Sequence, residues 1–254
     1  MAHLRCMNIK KHIPNLFTLG NLFCGTLATI FAVKGDFYLA ALFVVLGIVF
    51  DFFDGFLARI FKVSGELGKQ LDSLADMVTS GVAPGVVMFM WLSQSLSKTS
   101  IEPFVFFSKE TSLMAYLGLL LTLAACYRLA HFNIDTRQTD SFIGVPTPAM
   151  SLFVISLPLI AMNTDIEVVK NLILNEYFLI GITLVLSYLM NAELPLISLK
   201  FKNYGFKENV FKYLLIISSV ILIVVLKYLA VPLIIVIYIL LSIINNLSKK
   251  KHAV

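Results

Sequence analysis

Apolar residues in this chain run in long blocks separated by short polar interruptions. The blocks fall at about 17–33, 37–60, 70–96, 113–132, 147–163, 177–192, 212–229 and 231–247. Runs of roughly 17–25 apolar residues are long enough to cross a bilayer as helices. No segment shows the apolar–polar alternation of a membrane barrel strand. The pattern predicts an all-α, polytopic membrane helix bundle with about eight transmembrane helices. The last two are separated only by "LKYLAVP". The whole of 1–254 reads as one membrane domain. Residues 1–16 form an N-terminal cytoplasmic or interfacial arm, 17–163 the helices that carry the candidate chemistry, and 177–247 a C-terminal helical set.

Composition supports the pattern: 59% of the 254 residues are hydrophobic and 14% charged. An ordinary soluble domain has about a quarter of its residues charged. With eight spans and the N-terminus inside, fifteen of the twenty Lys and Arg residues fall on the cytoplasmic side. The positive-inside rule therefore predicts that both termini are cytoplasmic. The net charge of +5 reads as anchoring to anionic headgroups, with no nucleic-acid partner expected. Cys6, Cys24 and Cys126 have no metal-ligand spacing.

One stretch departs from the apolar pattern: "DFFDGFLARIFKVSGELGKQLDSLAD", Asp51 to Asp76. Asp51, Asp54, Gly55 and Ala58 share one helical face, and Gly68, Asp72 and Asp76 share a face of the next helix. The short polar turn between them makes the two helices antiparallel neighbours. Two carboxylate pairs then face one another at the cytoplasmic membrane surface. Ionisable residues within spans are costly and usually functional. Arg59 supplies one positive charge against four negative ones, whereas two divalent cations would neutralise the group. All-oxygen ligands suit Mg²⁺ or Mn²⁺. Two metals sharing carboxylates are a device for moving phosphoryl groups. Gly55 and Ala58 leave one helix face bare, either for a ligand or for close helix packing.

The pattern Asp51-x2-Asp54-Gly55-x2-Ala58-Arg59-x8-Gly68-x3-Asp72-x3-Asp76 resembles the complete signature of the CDP-alcohol phosphotransferases. The resemblance implies transfer of a substituted phosphate from a CDP-activated lipid or alcohol to a hydroxyl, with release of CMP. It implies that Asp51, Asp54 and Asp72 bind two divalent cations and that Asp76 is both ligand and general base. Asp51 and Asp54 would also help place the cytidine diphosphate. Gly55, Ala58 and Gly68 would admit the nucleotide, and Arg59 would hold the site's charges or the diphosphate.

Three flanking stretches resemble the family's bacterial serine branch, the type II phosphatidylserine synthases. In "IPNLFTLGNLFCG", Asn15, Thr18 and Asn21 recur every third residue as a polar stripe that the resemblance places near the nucleotide. A helix start with capping groups is the plainer reading of that stripe. "CYRLAHFNID" offers Arg128 and Asn133, with His131 where the branch has a second arginine. "SFIGVPTPAM" matches the branch's Gly-x-Pro-x-Pro-Ala stretch. Lys69, Arg128, His131 and Asn133 are the candidates for holding the acceptor or a phosphate. The implied substrates are CDP-diacylglycerol and L-serine, with glycerol 3-phosphate or inositol as alternative acceptors. The resemblance also implies a homodimer, in a bacterial cytoplasmic (inner) membrane, with the active site at the cytoplasmic face. A cation- or proton-coupled transporter would more commonly show broken mid-membrane helices and internal repeats. An aromatic prenyltransferase would carry two separated Asp-rich motifs.

Overall fold

Pro14 lies in the first turn of α1 (Ile13–Val33), where its missing N–H breaks no helical bond. The computed structural model describes residues 12–63, 65–97, 112–135, 142–197, 205 and 209–251. Gly35, at φ +74°, turns the chain into α2 (Phe37–Phe61), whose first turn is capped by Asp36 accepting from the Leu39 N–H at 3.0 Å. Lys62 closes α2 in the left-handed conformation. The next helix begins as α3 (Glu66–Asp76), passes through a π-helical turn (Met77–Val82) and continues as α4 (Ala83–Ser97).

A 3₁₀ segment (Leu113–Leu119) opens α5 (Leu120–Ile134). Then follow α6 (Thr147–Asn163) and the short α7 (Glu167–Ile173), which meets α8 (Glu176–Asn191) at a 65° bend. The last pair is α9 (Val210–Leu226) and α10 (Ala230–Lys251). Lys227 breaks them at positive φ, and they pack on one another. The all-helical architecture holds, with one small addition that periodicity does not announce. Strand β1 (Phe142–Ile143) pairs antiparallel with β2 (Pro195–Leu196).

Helices α4 and α6 form the middle of the bundle. Val87 to Leu92 and Phe153 to Ala161 are almost entirely buried, as expected for helices apolar on every side. The outer helices expose Leu, Ile, Val and Phe side chains, and α9 and α10 are the least covered. Small residues let the helices approach closely. An added Cβ on Gly118 would stand 2.6 Å from the Phe89 backbone nitrogen.

Each of the eight apolar blocks contains helix, but the span count differs from the sequence expectation. Among the described residues, five helical stretches are long and apolar enough to cross a membrane, or six if α7 and α8 form one bent span. Two causes account for the difference. The helix over 147–163 is only 17 residues long, and Val210–Asn246 is one helical stretch interrupted at Lys227. The first span also begins at Ile13 instead of residue 17, because Pro14 starts the helix. Residues 1–11 of the N-terminal arm lie outside the described residues.

Candidate active site

The polar stripe of α1 turns inward at the end of the bundle where α2 finishes and α3 begins. Thr18 is buried, and its hydroxyl donates to Asp54 Oδ2 at 2.6 Å. Asn21, fully buried, donates through Nδ2 to Asp76 Oδ1 at 3.0 Å. Asn15 sits one turn nearer the helix start, its Oδ1 3.5 Å from where a Gly68 Cβ would be. Spacing by three on a 3.6-residue helix keeps all three within one broad stripe. That stripe faces the aspartates of both neighbouring helices.

Asp51, Asp72 and Asp76 converge, with a carboxylate oxygen of each within 4.8 Å of the others. Asp54 lies outside this trio. It is buried, and Thr18 ties it to α1. Asp72 Oδ1 is buried with no hydrogen-bond partner among the described residues. Leaving such an oxygen unmatched costs about 1–3 kcal/mol, and more when it is charged. The donor set is all oxygen, its ligand atoms are closely spaced, and one of them lacks a partner. These features fit a hard divalent cation.

Two glycines of the same segment leave their helix faces open. Among the described residues, an added Cβ on Gly55 would meet nothing within 4 Å, and one on Gly68 would meet the Asn15 oxygen at 3.5 Å. Ala58 is half-buried and Arg59 exposed at the same end of α2.

The α5 residues divide into two groups. Asn133 belongs to the rim of the site: its carbonyl accepts from Lys69 Nζ at 2.6 Å and its Nδ2 donates to Ser73 Oγ at 2.8 Å. This bridge fastens α5 to α3 next to Asp72. Arg128 is buried, and its Nη1 donates to the carbonyls of Ile143 (2.9 Å) and Met190 (2.7 Å). That nitrogen holds the β1 segment against the end of α8 beside Gly144, which has φ +72°. His131 is exposed, with its ring stacked on Tyr127.

Sequence reasoning missed four residues at the site: Ser73, Thr79, Gly25 and Gly47. Ser73 takes the Asn133 amide. Thr79 donates to the Asn21 carbonyl at 3.0 Å, in a crossing that Gly25 and Gly47 leave open. Their positions did carry a signal. Gly25 lies four residues after Asn21, Gly47 four before Asp51, and Thr79 three after Asp76. Each is one helical turn deeper on the face that carries the site. The π turn that contains Thr79 has no comparable signature.

The fold and site together define a helical membrane protein with four carboxylates gathered where α2 ends and α3 begins, against a polar stripe of α1. Residues 11–189 match the CDP-alcohol phosphatidyltransferase family, and the chain belongs to that family. It is 33% identical over 151 residues to the CDP-diacylglycerol–serine O-phosphatidyltransferase of Bacillus subtilis, covering 58% of this chain and 75% of that protein. Against the protein of the same name from Helicobacter pylori it is 31% identical over 144 residues, 56% of this chain and 55% of that one. An archaetidylserine synthase from Methanothermobacter thermautotrophicus is 27% identical over 169 residues, 63% of this chain and 66% of its own. The chain thus spans about half the length of the Helicobacter relative and three quarters of the Bacillus one.

Proposed function

We propose that the protein transfers a phosphatidyl group from CDP-diacylglycerol to the hydroxyl of L-serine, giving phosphatidylserine and CMP. The observation that carries this reading is the convergence of Asp51, Asp72 and Asp76 beside the open faces of Gly55 and Gly68. Family membership supports the reaction type, and the serine-specific names of the relatives support the acceptor. Glycerol 3-phosphate or inositol would use the same site with a different headgroup.

Asp51, Asp54, Asp72 and Asp76 are the residues that would hold two divalent cations, Mg²⁺ or Mn²⁺. Bound there, the cations would neutralise the carboxylates and stabilise charge on the diphosphate oxygens. The chain's own residues supply the rest. Asp76 Oδ1 is held by Asn21, which leaves Oδ2 to take the serine hydroxyl proton. The serine oxygen then bonds to the phosphorus that carries diacylglycerol, and the bond from that phosphorus to the CMP oxygen breaks. Asp76 needs help in this role, because a carboxylate with an ordinary pKa of about 4 is a weak base toward an alcohol. Thr18 and Asn21 line the nucleotide side with Asn15, and Gly55, Ala58 and Gly68 leave room for the diphosphate. Arg59 and Lys69 offer positive charge at the rim, and Asn133 is tied to Lys69 there. With one Arg128 nitrogen spent on the β1 clasp and His131 facing outward, Lys69 is the stronger candidate for the serine carboxylate.

Eight spans would result if the 17-residue α6 also crosses and α9 and α10 cross separately on either side of Lys227; with that count, the Lys and Arg distribution supports cytoplasmic termini and a cytoplasmic site in a bacterial inner membrane. The protein would act as a homodimer. CMP release by the purified protein in detergent, with CDP-diacylglycerol, Mn²⁺ and one acceptor per reaction, tests the proposal. Release stimulated by serine alone is the expected result. Stimulation by glycerol 3-phosphate or inositol instead would overturn the acceptor and keep the site.

A further inference from the structure

The crossing beneath the carboxylates joins three helices at a single side chain. Thr79 is fully buried in the π turn that follows Asp76. A threonine in a regular helix commonly returns its hydroxyl to a carbonyl one turn back in its own helix. Thr79 instead reaches across to α1 and donates to the Asn21 carbonyl. Gly25, four residues beyond Asn21, lies beside that carbonyl. A Cβ there would stand 2.8 Å from both the Thr79 Cα and its backbone nitrogen. Gly47 of α2 makes the matching space on the other side. A Cβ on it would stand 2.6 Å from the Thr79 methyl and 2.9 Å from Asn21 Oδ1.

These contacts fix which way the Asn21 carboxamide points. Its oxygen rests over Gly47, buried and without a hydrogen-bond partner among the described residues, and its nitrogen points at Asp76. Among the described residues the Asp76 bond is the contact that rewards this orientation, and the oxygen is packed over Gly47. Thr122 of α5 donates to the Gly81 carbonyl at 3.0 Å, which ties the far end of the π turn to a fourth helix.

We propose that Thr79 is a positioning residue for the carboxylate site: by holding α1 at Asn21 it aims the Asn21 carboxamide at Asp76 and sets that carboxylate against Asp51 and Asp72. The inference rests on the reading of this trio as the metal-binding centre of a phosphatidyl transferase. It assigns to Thr79 no contact with substrate or metal. The hydroxyl acts through one backbone carbonyl, and the methyl acts by filling the space over Gly47.

Direct Mn²⁺ binding to the purified full-length protein in detergent, followed by electron paramagnetic resonance without substrate, separates this inference from the proposed reaction. Two pairs of variants isolate the hydroxyl. Thr79→Val keeps the shape and removes the donor, while Thr79→Ser keeps the donor. Should the valine protein fail to fold, Thr79→Ala against Thr79→Ser makes the same comparison between two smaller side chains. The variant lacking the hydroxyl is expected to bind Mn²⁺ five- to tenfold more weakly than its partner, and Thr79→Ser to stay within about twofold of the parent. CMP release should show the same contrast, as a higher Mn²⁺ requirement and a lower kcat with the KM for CDP-diacylglycerol little changed. Equal Mn²⁺ affinity in the hydroxyl-bearing and hydroxyl-lacking proteins overturns the proposal, even if melting temperature falls. Binding that follows the hydroxyl supports it whichever acceptor the enzyme uses.

Discussion

Replacing Thr18 by valine removes one hydrogen bond from the site and little else. The two side chains have the same shape, so the fully packed position keeps its volume and no cavity is created. The lost contact is the 2.6 Å bond from the Thr18 hydroxyl to Asp54 Oδ2. The same oxygen lies 3.2 Å from the Pro14 carbonyl, but a hydroxyl has one proton, and the shorter bond to an acidic group takes it. Asp54 is only 6% exposed, so water has poor access to replace the donor. Hydrogen bonds to charged groups contribute about 1.5–3 kcal/mol. At 1.36 kcal/mol per tenfold, the loss corresponds to a roughly ten- to hundredfold fall in kcat/KM if Asp54 must hold its geometry during turnover. CMP release in detergent at saturating Mn²⁺ is the assay, with Thr18→Ser expected to recover most of the activity. In an Asp54→Asn background the Thr18→Val change should cost much less, because the partner is already altered. A Thr18→Val enzyme within twofold of the parent would refute the reasoning.

Other substitutions test separate parts of the account. Asp76→Asn should keep CDP-diacylglycerol binding while lowering kcat by at least about a hundredfold, within the range for loss of a general base; near-parental turnover would remove Asp76 from that role. Gly144→Ala places a Cβ at positive φ, 2.9 Å from Arg128 Nη1, and should lower the melting temperature by several degrees; an unchanged melting curve would show that the clasp is not stabilising. Saturating Mn²⁺ should raise the melting temperature of the parent protein, since a cation at a hundred times its Kd contributes about 2.7 kcal/mol. The same addition should do little for a protein carrying Asp51→Asn and Asp72→Asn, and an equal rise in both would place the cation elsewhere.

The carboxylate trio was legible because aspartate is rare inside apolar helices and the three- and four-residue spacings fix which face it occupies. The stripe of Asn15, Thr18 and Asn21 was legible for the same reason, although only the fold shows that Thr18 meets Asp54 and Asn21 meets Asp76. Arg128 illustrates the limit. A basic residue near a span end reads equally as a ligand-binding group or a clamp, and the carbonyls of Ile143 and Met190 lie 15 and 62 residues away in the chain. The Thr79 crossing was legible only as spacing on the site's face. Its partners are glycines, whose meaning depends on what passes over them, and a threonine after an acidic motif reads as ordinary helix. The span count was hard to read because apolar content does not register the bend between α7 and α8, and the turn expected at "LKYLAVP" proved to be only an interruption at Lys227 within one helical stretch.

The most direct measurement of the central claim is CMP release from CDP-diacylglycerol and serine by chelator-stripped protein as Mn²⁺ is added back, for the parent and for Asp72→Asn. The account predicts no release without metal, full recovery in the parent, and at most a small fraction of that rate in the variant at any Mn²⁺ concentration. Full activity in the stripped protein, or an Asp72→Asn enzyme that responds to Mn²⁺ as the parent does, would contradict it.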